Sequence, residues 1–391
     1  MKPPVRTKER FLVYGAPAIL QEEKDEVQRC LDSGWIGTGP KVFQFQSDFV
    51  AYKGGQGTAV AVNSCTAALH LSLIASGVGP GDEVITTALT FCSTVNAIIH
   101  AGATPVVADV DPVTMNIDPA DVARKITPAT KAVLPVHFAG RPCDMDALCA
   151  LAAEKNLMII EDCAHAIETL YHGRCAGTFG RFGCFSFYVT KNLTTGEGGM
   201  ILTSDAGSAD RLKVLGLHGM SKDAWKRYSD EGYQHYQVVD AGFKYNMTDI
   251  AASLGIHQLR RVETNWTRRE EIWQRFQTAF ADLPITLPAP PEANTRHAYH
   301  LYTILIDEAV AGVSRDAFLM RMMQQNIGTG VHYQCLPEHP YYRETFGWNP
   351  SDYPHAFRIG SQTASLPLSP ALSDEDVEDV IEAVKRSLSG S

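Results

Sequence analysis

Lys191 lies in Ser186-Phe-Tyr-Val-Thr-Lys191-Asn-Leu-Thr-Thr-Gly-Glu-Gly-Gly199, an uncharged strand-like run that ends in one lysine and a glycine-rich turn. An amine isolated in this way can form a Schiff base with a carbonyl and afterwards carry a proton. Upstream, Leu157-Met-Ile-Ile-Glu161-Asp162-Cys-Ala-His165 is an apolar strand whose end delivers a carboxylate, the partner that a protonated pyridine nitrogen needs. Lysine and aspartate together read as a pyridoxal phosphate (PLP) site. Taken singly they stay ambiguous, because a lone lysine after a strand usually faces water and a strand-end aspartate often caps a helix. Glu161 should point away from Asp162, since successive strand side chains alternate faces, and it is given no catalytic role.

A third element fits the same chemistry. Asn63-Ser-Cys-Thr66 follows an apolar strand and opens the helix Ala67-Ala-Leu-His-Leu-Ser-Leu-Ile74, so free N–H groups and the helix dipole converge where a phosphate can bind. An ordinary N-cap by Ser64 or Thr66 accounts for the same letters. On their own, Phe91 reads as core and His165 as a structural histidine.

These residues need a scaffold. Short apolar runs at 58–62, 83–87, 105–108, 132–136 and 157–160 alternate with helical stretches such as 66–76 and 144–155, which implies a parallel sheet covered by helices. Runs at 184–187 and 200–203 flank Lys191 as two further strands. An exposed helix is expected at 22–32, stopped by Gly34. A long loop or lid, or equally a solvated connector, is expected at 218–240. Helices near 247–261 and 268–281 lead to a proline-rich linker at 283–291 and a smaller α/β unit with a strand at 299–306 and helices at 315–325 and 374–388.

Composition narrows the options. At 391 residues the chain suits one large domain with a smaller companion. A net charge of −10 without a basic run argues against nucleic acid or an anionic membrane as partner. Nine cysteines, with no C-x-x-C pair, and a polar N-terminus without an apolar signal core favour a cytoplasmic protein with reduced thiols. The uncharged stretches at 54–81 and 84–108 are broken by polar residues and glycines, so neither reads as a membrane span. No H-E-x-x-H or Cys/His quartet suggests a metal, and no G-x-S-x-G a serine hydrolase.

The strings Glu161-Asp162-Cys-Ala-His165-Ala and Ser186-Phe-Tyr-Val-Thr-Lys191-Asn-Leu-Thr-Thr-Gly-Glu-Gly-Gly resemble motifs of the DegT/DnrJ/StrS nucleotide-sugar aminotransferases, which are fold-type I PLP enzymes. Ser33-Gly-Trp-Ile-Gly-Thr-Gly39, Val62-Asn-Ser-Cys-Thr-Ala-Ala-Leu69, Gly81-Asp-Glu-Val-Ile85, Gly102-Ala-Thr-Pro-Val106 and Gly242-Phe-Lys-Tyr-Asn-Met-Thr-Asp249 extend the match. The resemblance implies an α/β, aspartate aminotransferase-like fold: an N-terminal arm (1–21), a large mostly parallel-sheet PLP domain (22–255) and a small C-terminal α/β domain (256–391). It implies catalysis by Lys191, a ring-nitrogen partner in Asp162, phosphate contacts from Cys65, Thr66 and Ser186, ring stacking by Phe91, and His165 near the phenolic oxygen. It also implies that Asn246 reaches a neighbouring subunit's cofactor phosphate in a homodimer, although Asn246 could instead cap the helix that follows.

The activity so implied moves an amino group from an amino acid, L-glutamate by expectation, to a nucleotide-linked 4-keto sugar, with pyridoxamine phosphate (PMP) carrying it between half-reactions. Pro135-Val-His-Phe-Ala-Gly140, Gly242-Phe-Lys-Tyr-Asn-Met-Thr-Asp249, Ser314-Arg-Asp-Ala317 and Ile327-Gly-Thr-Gly-Val-His332 resemble, more narrowly, aminotransferases acting on a UDP-4-keto-pentose for lipopolysaccharide. Thr194-Thr-Gly-Glu-Gly-Gly199 follows the general family instead, and a dTDP- or GDP-linked 4-keto-6-deoxyhexose is the other substrate considered. Tyr188, Cys65 and Cys163 depart from residues common in the family. The rival readings are a PMP-dependent deoxygenating dehydratase, disfavoured because such relatives carry histidine in place of Lys191, and a non-catalytic regulatory protein. Lys222, Arg227 and Lys244 are the candidate cations for the diphosphate.

Overall fold

The computed structural model describes residues 3–221 and 236–389. Helix α1 (Gln21–Ser33) stops where Gly34 enters the left-handed region at φ 75°. Helix α2 (Pro40–Tyr52) starts on a proline whose missing N–H costs nothing at that position. Then follow β1 (Thr58–Val62), α3 (Cys65–Ala75), β2 (Glu83–Thr87), α4 (Cys92–His100), β3 (Thr104–Ala108), α5 (Pro119–Lys125), β4 (Thr130–Leu134), α6 (Met145–Lys155) and β5 (Met158–Asp162). A small hairpin, β6 (Leu170–Tyr171) and β7 (Arg174–Cys175), precedes β8 (Phe182–Ser186), β9 (Gly199–Thr203), α7 (Ala206–Gly216), α8 (Asp249–Arg260) and α9 (Val262–Phe280). The remainder holds β10 (Thr295–Arg296), β11 (Tyr302–Leu305), α10 (Glu308–Ala311), α11 (Arg315–Gln324), α12 (Pro340–Phe346), α13 (Pro354–Gln362), β12 (Thr363–Leu366) and α14 (Asp374–Ser389).

Seven strands form one sheet in the order β1-β9-β8-β5-β4-β2-β3. Strands β8, β5, β4, β2 and β3 run parallel, while β9 is antiparallel to both its neighbours. Helices cover both faces, which is why the strands read as apolar runs rather than as alternating patterns. On one face Leu69, Leu71 and Leu73 of α3 pack with Leu212 and Leu215 of α7 against Val60, Leu134, Ile160 and Ile201. On the other, Phe45 and Phe49 of α2 and Ile256 of α8 pack against Ala59, Phe185 and Leu202. A second core gathers Trp273, Phe276 and Phe280 of α9, Phe318 of α11 and Val377, Val380 and Val384 of α14 around the antiparallel pair β11–β12.

Two expectations change. The helix at 22–32 is not simply exposed, because Glu23, Glu26 and Cys30 are buried. Glu23 accepts from Gln258 Nε2 at 2.9 Å and pairs with Arg261, while Glu26 pairs with Lys41 and lies 3.2 Å from His257 Nε2. A packed face built from carboxylates is invisible to apolar periodicity. The strand expected at 299–306 shortens to β11, because Ala298 N and His300 N leave the strand path to bond Gly140 O and Ala139 O at 2.9 and 3.1 Å. Residues 222–235 of the expected lid, with Lys222 and Arg227, lie outside the described residues.

Candidate active site

The sheet delivers its chemistry at the carboxyl ends of the parallel strands, where α/β sheets hold their ligands. A cavity of ≈ 510 Å³ there is lined by residues that include Cys65, Thr66, Phe91, Asp162, His165, Ser186 and Lys191. Seven of the eight residues expected from the sequence are thereby brought together. Asn246 is not among the lining residues: it bridges Val62, and its Nδ2 donates to Thr38 Oγ1 at 2.6 Å. The alternative that Asn246 caps a helix is corrected, since the Thr248 hydroxyl accepts from Ala251 N and caps α8.

Asp162 ends β5 and is 3% exposed. Its carboxylate accepts from Thr94 Oγ1 at 2.9 Å and from Ala164 N at 3.1 Å, with Thr90 hydrogen-bonded behind Thr94. Burial raises its pKa, against the opposing pull of those hydrogen bonds and of Lys191. Among the described residues no cation forms an ion pair with it, so a buried acceptor faces the cavity without its natural counter-charge. Glu161, one residue earlier, points the other way as expected: it accepts N–H groups of Gly177, Phe179 and Gly180, each at 2.7 Å, and lies 3.1 Å from His137 Nε2. That clamp holds β5 and the 177–180 turn together and so fixes the register of Asp162.

Lys191 follows β8 in a turn closed by its own N–H to Tyr188 O at 2.9 Å and by Thr195 N to Phe187 O at 2.9 Å. Burial is the largest influence on its amine and pushes the pKa from 10.5 down to about 8, with Cys65 and Asp162 opposing. A substantial neutral fraction near physiological pH is what a nucleophilic lysine requires.

At the start of α3 the Ser64 hydroxyl caps Ala67 N at 3.1 Å, which leaves the N–H groups of Cys65 and Thr66 at the open end of the helix. Gly199 lies directly beneath, where an added Cβ would meet the Ser64 carbonyl carbon at 2.6 Å and Cys65 N at 2.8 Å. Phe91 is 56% exposed, unusual for phenylalanine, and lines the cavity. Cation-accepting carboxylate, amine, anion-binding helix end and open aromatic ring match the four chemical demands of pyridoxal phosphate.

The comparisons with known proteins agree. Residues 17–385 match the model of the DegT/DnrJ/EryC1/StrS aminotransferase family. The chain belongs to that family. It is 51% identical over 388 residues to the spore coat polysaccharide biosynthesis protein SpsC of Bacillus subtilis, covering 99% of this chain and all of SpsC. Among solved structures it resembles the PMP form of the sugar aminotransferase Spr1654 from Streptococcus pneumoniae (TM-score 0.89, 33% identity, 97% and 98% of the two chains). It also resembles DesI solved with its TDP-sugar product (TM-score 0.87, 30% identity, 99% and 95%). An aminotransferase of this family works with PLP, so the cofactor expected from the sequence holds.

Several residues at the site of this aminotransferase were missed by the motif reading. Tyr333 enters the cavity from the C-terminal unit, with its hydroxyl 3.0 Å from His165 Nε2. His332 beside it lies 2.9 Å from Ser365 Oγ, and burial with Lys191 nearby lowers its pKa to about 3. His165 Nδ1 accepts from Ala139 N at 3.2 Å, so Nε2 carries the proton, and burial keeps the ring neutral. The string ending at His332 belongs to the narrower resemblance above, but only the three-dimensional fold brings 332–333 beside His165.

Proposed function

We propose that the protein is a PLP-dependent aminotransferase that moves an amino group from L-glutamate to a nucleotide-linked 4-keto sugar. The observation that carries this reading is one cavity joining Lys191, the buried, hydrogen-bonded carboxylate of Asp162 that has no ion pair among the described residues, and the open N-terminus of α3. When bound there, PLP supplies an electron sink for charge that develops at the substrate carbon next to nitrogen. Lys191 would hold the cofactor's aldehyde carbon and, once released, would move a proton at that substrate carbon. Asp162 would hold the ring-nitrogen proton, Cys65, Thr66 and Ser186 would bind the phosphate, and Phe91 would cover the ring. His165 would lie near the phenolic oxygen, with its two ring nitrogens already engaged by Ala139 N and the Tyr333 hydroxyl.

The sugar reading is supported by DesI, solved with its TDP-sugar product, and by SpsC, named for polysaccharide biosynthesis. A UDP-4-keto-pentose is the first substrate to try, on the resemblance at 135–140, 242–249 and 327–332, with surface polysaccharide such as lipopolysaccharide as the destination. With a net charge of −10, the chain needs local cations for a diphosphate, and Lys244 is exposed beside Asn63. A panel of UDP- and dTDP-linked 3-keto and 4-keto sugars with glutamate, read by mass spectrometry, should give the 4-amino sugar and 2-oxoglutarate in equal amounts. Amination of 3-keto sugars alone would reject the regiochemistry, and loss of a hydroxyl without amination would favour the dehydratase.

We further propose a cytoplasmic homodimer with shared sites. All nine cysteines are unpaired, and among the described residues no helix is long and apolar enough to cross a membrane. Thr38 Oγ1 donates to Met247 O at 2.6 Å and therefore accepts from Asn246 Nδ2, which leaves Asn246 Oδ1 buried without a partner. The shared site is supported by the resemblance at 242–249, and Asn246 Nδ2 would have to leave Thr38 Oγ1 to donate to a neighbouring phosphate. Mixing inactive Lys191→Ala and Asn246→Asp subunits should restore part of the activity, since one hybrid site is intact; no rescue after verified subunit exchange rejects the shared site.

A further inference from the structure

Behind the cavity lies a buried carboxylate that the reaction described above does not use. Glu168 is 1% exposed and its carboxylate is held by the Asn192 amide. The Asn192 Nδ2 group reaches both its oxygens, at 3.1 and 3.0 Å, and also Ala298 O at 2.8 Å. Asn192 directly follows Lys191. Its amide nitrogen must face these acceptors, so its Oδ1 must face the other way, where it lies 2.9 Å from His300 Nδ1. An amide oxygen only accepts, hence His300 Nδ1 carries a proton. Burial, with His165 and Lys191 close by, holds the His300 pKa well below the ordinary value, so the ring is neutral and its Nε2 is bare. The His300 ring rests on that of His165, with centroids 4.4 Å apart. His165 carries its proton on Nε2, toward Tyr333. Two packed imidazoles are therefore locked in opposite tautomers beside the reactive lysine.

We propose that Glu168 is a positioning residue for Lys191: its carboxylate orients the Asn192 amide, which fixes both the backbone next to Lys191 and the His300 ring that supports His165. The proposal deepens the aminotransferase reading and rests on it for its effect on turnover. Arg269 of α9, Arg296 of β10, and Lys53 and Tyr52 at the end of α2 are the other ionisable groups whose charges act on or respond to Glu168. Burial raises the Glu168 pKa to about 7. A neutral carboxyl group would bring a proton that the Asn192 N–H group cannot accept, so the arrangement seen fits the ionised form.

The first test needs no cofactor and no substitution. Nitrogen-15 histidine spectra of the cofactor-free protein should show His300 protonated on Nδ1 and His165 on Nε2; finding His300 protonated on Nε2 overturns the proposal. In Glu168→Gln, which has nearly the same shape, His300 should lose that single tautomer. The glutamate half-reaction of the holoenzyme should slow by up to about a hundredfold, as misplacement of a reacting group does, while KM for the nucleotide sugar stays within about twofold. Glu168→Asp, which keeps the charge, should recover part of the rate. Unchanged His300 signals and unchanged rate in Glu168→Gln reject the relay, as do equal losses in both variants. A wild-type protein with the stated tautomers but no transamination instead refutes the reading of function and leaves the relay standing.

Discussion

Lys191→Ala is expected to lower turnover by about four orders of magnitude, because it removes both the covalent hold on the cofactor and the proton carrier at the substrate carbon. The variant should still bind PLP through the end of α3 and Asp162, but borohydride should no longer fix the cofactor to the protein. In the wild type, peptide mapping after reduction should find the label on Lys191; a label on another lysine refutes the assignment. A pH series adds a sign. The amine pKa is lowered from 10.5 to about 8 by burial, so the rate at which cofactor-free protein captures PLP should rise with pH and level off above about 8. At pH 8 an ordinary lysine would be only about 0.3% neutral, and the rate would keep rising for two further pH units. A plateau near 10.5 means that the amine is solvated and the desolvation argument fails.

Asp162→Ala should cost about 10³-fold in the glutamate half-reaction and only about tenfold in cofactor affinity. The asymmetry follows from the geometry. The carboxylate, held by Thr94 and Ala164, would meet only the ring nitrogen, where its value grows as charge develops, whereas the phosphate would be held at the separate α3 terminus. The variant should also leave Thr94 Oγ1 without its acceptor, a loss felt in stability. Single-turnover rates with glutamate and a PLP titration separate the two effects. Near-normal single-turnover rates would reduce Asp162 to a structural residue.

Much of this was legible in the letters. Asp162 closes the apolar run of β5 and Lys191 follows the uncharged strand β8 in a turn; each alone has an ordinary structural reading, and it is the pair that points to the cofactor. Ser64 to Thr66 was legible as a helix opening, though only the structure separates Ser64, which caps, from Cys65 and Thr66, whose N–H groups stay open. The sheet order was not legible, since apolar runs state that strands are buried and not who pairs with whom. Glu168, Asn192 and His300 escaped for another reason. Each is a polar residue of ordinary type, and its meaning lies in a hydrogen bond to a residue distant in sequence, as between Asn192 and His300. Tyr333 is similar, because a tyrosine in a connecting segment carries no signal until the fold seats it beside His165.

Strand β9 sits between β1 and β8, so β1 touches the sheet only through a strand encoded far downstream of it. On the ribosome, therefore, β1 has no strand edge to pair with until residue 203 has appeared, although α3 can already pack on β4 and β5. The anion-binding helix end and the Asp162–Lys191 half belong to separate pieces of a nascent chain, joined by a contact of long sequence separation, which is the slow kind to form. A complete grip on the cofactor would exist only after that closure, so the cofactor would seal a finished sheet rather than template an unfinished one.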